Sequence, residues 1–250
     1  LMNPHRISWT LTNQHFAEII ALAMLSSLLI AKNEKKQIPA TPITITLGLF
    51  WAWMLLTTIF SMYPDWAWEQ WDKVWKIMLT TFVAIIVLNS KERIIALTVV
   101  SALSIGFYGF KGGFFTAVTG GDYRVWGPPG SFIGGNNETG LALIMTIPLL
   151  FFLRSIAPYR LLQHALLAGI VLCAFAIFGT QSRGAFVGLV AMATVLVWKS
   201  KNKFGYLLLA GILGAVLIAF MPQYWHERMA SILNYQEDAS AMGRILAWRM

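Results

Sequence analysis

A chain of 250 residues that is 57% hydrophobic and only 12% charged, with a mean hydropathy of +0.63, lies outside soluble globular composition, where roughly a quarter of residues are charged, and reads as an integral membrane protein. Its single cysteine, Cys173, sits in an apolar run and excludes a disulfide framework and a cysteine-based metal site. The net charge of +8 is dispersed over short connections between apolar runs, which points to membrane topology and away from nucleic acid.

Apolar runs follow one another at 16–31, 43–62, 74–90, 94–110, 138–153, 161–179, 184–198 and 204–221. The expected fold is all-α, a polytopic transmembrane helical bundle with about eight spans in a lipid bilayer, the shorter runs extending into their polar flanks. The chain opens at Leu1-Met2-Asn3-Pro4 without the pattern of a signal peptide and stops at Arg249-Met250 within an expected helix. It is expected to be a piece cut at both ends. No linker divides it, so 1–250 reads as a single transmembrane domain with outward loops at 111–137 and 222–250.

Charge in alternate connections sets the orientation. One side holds Lys32, Lys35, Lys36, Lys91, Arg93, Arg154, Arg160, Lys199, Lys201 and Lys203 against Glu34 and Glu92, ten cations to two acids. That side is expected to be cytoplasmic. The other side carries nine of each sign and faces outward. Between Tyr63 and Trp75 on that side, Trp66, Trp68, Trp71 and Trp75 read as an interfacial belt in preference to a sugar-stacking platform. Pro148 is expected to kink its span, and Gly184 with Gly188 to allow a close helix contact.

The stretch from Lys111 to Asn137, KGGFFTAVTGGDYRVWGPPGSFIGGNN, holds eight of the twenty glycines and reads as a folded loop presenting amides and cations. Lys111 and Arg124 supply positive charge, and Asn136 and Asn137 are donors for a glycan or a diphosphate; the other reading is a structural plug. Arg183, in GTQSRGAFVG, stands at the junction of two spans, where a guanidinium must be hydrated or paired. It is either an interfacial arginine whose head reaches water or a bidentate anion clamp. Arg244, in DASAMGR, falls early in a predicted helix that Asp238 or Ser240 would cap, either as a phosphate ligand at a helix start or on a solvated surface. There is no P-loop, GxSxG, HExxH or Asp-x-Asp, and His5, His15, His164 and His226 are scattered.

The segments MNPHR, FYGFKGGFFTAVTGGDYRVWGPPGSFIGGNN, SRGA and DASAMGR resemble the O-antigen ligase superfamily. Within it they are most similar to the O-glycosylation ligases associated with exosortase A systems. The likeness spans essentially the whole chain. The long glycine-rich motif is specific to that branch, while SRG and the later GR are shared more widely among ligases and polymerases.

The resemblance implies a GT-C-like, metal-independent glycosyltransferase of the bacterial inner membrane that uses no cofactor. Such an enzyme moves a glycan from undecaprenyl diphosphate to a protein or lipid acceptor on the periplasmic face. It implies catalytic roles for Arg183 and Arg244, which would hold the carrier diphosphate and stabilise its developing charge. Lys111, Arg124, Asn136 and Asn137 extend that assignment as substrate-binding residues. The family also uses a histidine further along a large periplasmic loop. No histidine here matches it, so this stretch is expected to bind carrier lipid without turning over. The alternatives are a polymerase acting on the same carrier and a transporter of polyisoprenoid-linked sugar. A transporter, however, places ionisable groups at mid-membrane breaks, whereas these cations gather at the outer edge.

Overall fold

A computed structural model describes residues 16–30, 38–232 and 239–249. Ten helices follow in order: α1 (Phe16–Ile30), α2 (Pro42–Ile59), α3 (Pro64–Val87), α4 (Lys91–Val118), α5 (Asn136–Ile156), α6 (Arg160–Gly179), α7 (Arg183–Lys199), α8 (Lys203–Phe220), α9 (Gln223–Ala230) and α10 (Ala239–Arg249). Among the described residues no strand occurs. The fold is therefore all-α, as expected. Among the described residues a helix covers most of each of the eight apolar runs. Five helices, α2, α4, α5, α6 and α8, are long and apolar enough to cross a membrane. The others fall short for visible reasons. α1 and α7 have 15 and 17 residues, and α3 carries Glu69, Asp72, Lys73 and Lys76 in its first half.

The chain packs as two compact units that divide inside α4, one spanning Asn13–Leu97 and the other running from Thr98 onward. In the first unit α2 begins at a capping box: the Thr41 hydroxyl accepts from the Thr44 amide, and Thr44 Oγ1 accepts from the Thr41 amide. Trp51 stacks on Phe82 of α3 with ring centroids 5.5 Å apart. α3 is one helix from Pro64 to Val87, so the tryptophan belt and the following apolar run form a single element. Its polar start is laced by the i,i+4 pairs Lys73–Glu69 and Lys76–Asp72.

The second unit is organised around α5 and α6. Leu143, Ile147 and Leu150 of α5 pack with Ile170, Cys173, Ala176 and Ile177 of α6 and with Ala185 of α7. α5 continues as helix through Pro148. A second cluster joins Phe178 of α6 to Leu217 of α8 and Trp225 of α9, Trp225 lying parallel to Phe178 at 5.4 Å. The outer faces stay apolar, as at Leu207, Leu208 and Ile212 of α8. That is the surface expected of helices solvated by hydrocarbon.

Two expectations about glycine are corrected. The stretch 111–137 is not one loop: Lys111 to Val118 continue α4, the connection is 119–135, and Asn136 and Asn137 open α5. The glycines following Lys111 serve packing. A Cβ on Gly113 would collide with the Leu172 carbonyl of α6, and one on Gly112 would lie 2.7 Å from Val125. Of the Gly184/Gly188 pair, only Gly188 lies close to another helix, where an added Cβ would come 3.1 Å from Ile144 Cδ1, while a Cβ on Gly184 would meet only Ser182 Oγ at 4.0 Å.

Candidate functional site

The α6–α7 turn, Thr180-Gln181-Ser182, is the point on which the second unit's polar groups converge. Ser182 caps α7, its hydroxyl accepting from the Ala185 amide at 3.1 Å and donating to Asn137 Oδ1 at 2.6 Å. Asn136 Nδ2 donates to the Thr180 carbonyl at 3.0 Å. The two asparagines thus stitch the first turn of α5 to the start of α7. Their polar side chains are engaged with the protein's own backbone and cap.

Gln181 sits in the left-handed region, φ 52°, and is 3% exposed. Its amide oxygen accepts from Arg124 Nε at 3.1 Å, and its Nε2 donates to the Gly121 carbonyl and to the Tyr224 hydroxyl. Tyr224 in turn donates to the Gly121 carbonyl at 2.6 Å. Burial pushes the Tyr224 phenol above its ordinary value, against the opposing pull of the Gln181 amide and Arg124. The Gln181 carbonyl accepts from Arg228 Nε at 2.8 Å.

Arg183, the first residue of α7, is half-buried and donates from Nη1 to Ser231 Oγ at 2.7 Å. Ser231 Oγ donates to the Arg228 carbonyl. Arg124, Arg183 and Arg228 are therefore tied to one turn through Gln181 and Ser231. Three guanidiniums beside a helix start form an arrangement that receives anions through charge-assisted, bidentate hydrogen bonds. Gly184 is exposed, with open space at its Cα, so the surface next to Arg183 is unobstructed.

Lys111 lies on the α4 face shared with Tyr108 and Phe115, which with Arg124, Trp126 and Pro129 surrounds a cavity of about 310 Å³. Arg124 thus belongs both to the Gln181 network and to this cavity. Arg244 falls in α10, but its side chain and Asp238 are outside the described residues. The sequence reading missed Gln181, Tyr224, Arg228 and Ser231. A polar glutamine between two apolar runs was the available signal for the first; Arg228 and Ser231 stand in an ordinary polar tail. Among the described residues no three His, Cys, Asp or Glu side chains converge on a metal-sized point.

These features define a helical membrane protein with an arginine-rich polar site where α5 and α7 begin. The chain belongs to the family of unknown function DUF5935, whose model matches residues 1–158, and residues 168–250 match the model of the O-antigen ligase family. The second match supports placement among membrane glycan ligases and polymerases. It contains Arg183, Arg228, Ser231 and Arg244, whereas Lys111, Arg124, Asn136 and Asn137 fall in the first. No curated protein and no solved structure matches the chain.

Proposed function

We infer that this chain carries the carrier-binding part of a membrane glycosyltransferase that takes a glycan from undecaprenyl diphosphate and joins it to a protein or lipid hydroxyl on the periplasmic face of the bacterial inner membrane. The branch we assign is that of the exosortase A-associated O-glycosylation ligases, on the strength of the KGGFF…GGNN motif. The observation that carries the reading is the position of Arg183. It starts α7, is anchored by Ser231, borders the open surface at Gly184, and shares its turn with Arg124 and Arg228.

In the transfer, the bond between the anomeric carbon and the diphosphate breaks as the acceptor oxygen bonds to that carbon, and the proton of the acceptor hydroxyl passes through water to the departing diphosphate. Negative charge grows on the departing diphosphate. Fixed guanidinium donors match that charge without reorganising, which lowers the barrier without a metal. Arg244 joins Arg183 in this role, and the lipid tail of the carrier stays in the bilayer.

The test is binding of farnesyl diphosphate, a short polyisoprenyl diphosphate, to the purified chain in detergent. Arg183→Lys keeps the charge but loses the fork and should weaken binding about tenfold, the loss of one charge-assisted hydrogen bond. Farnesol should not compete. Equal affinity for farnesol, or an unchanged affinity in Arg183→Lys, overturns the assignment.

A further inference from the structure

The cavity beside α4 differs in chemistry from the arginine turn that it adjoins. Tyr108, Lys111 and Phe115 recur at helical spacing on one face of α4, and Arg124, Trp126 and Pro129 close the opposite side. Three aromatic rings, a valine and two prolines make most of the wall apolar, and the two cations are its charged groups. Its volume of about 310 Å³ stands at the small end of ligand sites, which run from roughly 300 to 1,000 Å³. That suits a single ring and excludes a chain of several.

Neither cation in it forms an ion pair among the described residues. Lys111 makes no hydrogen bond or ion pair among the described residues, and Arg124 uses only its Nε, on Gln181, which fixes the guanidinium in place. Two positive groups at the rim of an apolar slot call for an anion attached to something with an apolar face. A pyranose meets both demands: its C–H face lies flat on aromatic rings while its hydroxyls remain at the edge. The slot also connects to the proposed carrier site through one residue, because the glutamine that holds Arg124 lies two positions before Arg183.

We propose that this cavity binds one pyranose carrying an anionic substituent, the acidic sugar of the glycan that lies next to the carrier diphosphate. The inference rests on the transferase reading and adds a preference for acidic glycans. It also gives Lys111 and Arg124 a role separate from the diphosphate.

Saturation-transfer NMR on the purified chain in a neutral detergent tests it with three probes: methyl glucuronide, glucose 6-phosphate and methyl glucoside. At least one acidic probe should bind tenfold or more tightly than the neutral glucoside, and the comparison of the two identifies carboxylate or phosphate as the anion. Lys111→Gln, at an exposed position without partners, should lower that affinity about tenfold. Trp126→Ala should weaken all three probes. The proposal is overturned if the neutral glucoside binds as well as both acidic probes. It is also overturned if Lys111→Gln binds like the parent, or if no glycoside binds while farnesyl diphosphate still does. Finally, a loss of farnesyl diphosphate in Lys111→Gln as deep as in Arg183→Lys would make the cavity the diphosphate site and overturn it, leaving the transferase reading standing.

Discussion

Gln181 concentrates more of the molecule's polar geometry than any charged residue near it. A non-glycine residue at φ 52° stores backbone strain, and here hydrogen bonds accepted from Arg124 and Arg228 and donated to Gly121 and Tyr224 hold it there. Gln181→Ala removes the three side-chain bonds while Arg228 keeps the main-chain carbonyl and Tyr224 keeps the Gly121 carbonyl, and it should cost about 1–2 kcal/mol, read as a lower melting temperature in detergent. A melting temperature equal to the parent's would show that the network adds no stability. Gln181→Gly relaxes the backbone while losing the same amide, so it should fall between the two. Tyr224 adds a pH dependence. Its phenol is raised, chiefly by burial, so the neutral form is favoured in the folded state; its contribution is intact below the ordinary value of 10.0 and fades as pH rises from there through the folded value. Tyr224→Phe should therefore flatten the alkaline arm of the stability curve. Arg183 stood out in the sequence because a charge next to an apolar run demands an explanation, and Arg124 because it is a cation within the glycine-rich stretch. Gln181 and Tyr224 did not, since their partners lie 43 to 103 residues away.

Helices were read well and the glycine-rich stretch was not, for a physical reason. Glycine marks both backbone turns and places where two helices touch, and composition alone does not separate the two. In α4 the second use governs: Gly109 faces Cys173 and Leu143, and Gly113 faces the Leu172 backbone. Only from Gly120 and Gly121, both with positive φ, does the chain turn. Gly113→Ala must force α4 from α6 because the obstacle is main chain, and a loss of several kcal/mol or failure to accumulate in the membrane is expected. Gly211→Ala and Gly214→Ala supply the contrast within α8. A Cβ at either position meets nothing within 4 Å, so each should be neutral or stabilising by up to about 1 kcal/mol through helix propensity. If all three variants melt alike, the contact made by Gly113 has no energetic weight.

For the whole molecule the charge asymmetry gives a test of orientation. The connection holding Phe132 should face the periplasm and the turn holding Ser200 the cytoplasm. Cys173 is fully buried and silent toward thiol reagents, so single substitutions suffice. Phe132→Cys should react with a membrane-impermeant maleimide in spheroplasts, and Ser200→Cys only after permeabilisation. The reverse pattern would put the arginine turn in the cytoplasm and remove the carrier-linked reading.

The hydrogen bonds of the α6–α7 turn also bear on how this protein can be divided. The two family matches part between residues 158 and 168, yet Arg124 meets Gln181, Asn136 meets Thr180 and Asn137 meets Ser182 across that boundary. The compact unit instead begins at Thr98, inside the first match. A recombinant exchange at the family boundary would pair one relative's α5 with another's α7 and leave to chance the acceptor that Asn137 offers to Ser182. A crossover at residue 97 would carry the donors together with their acceptors. The portion that can be exchanged with its hydrogen bonds intact is therefore larger than the O-antigen ligase segment alone.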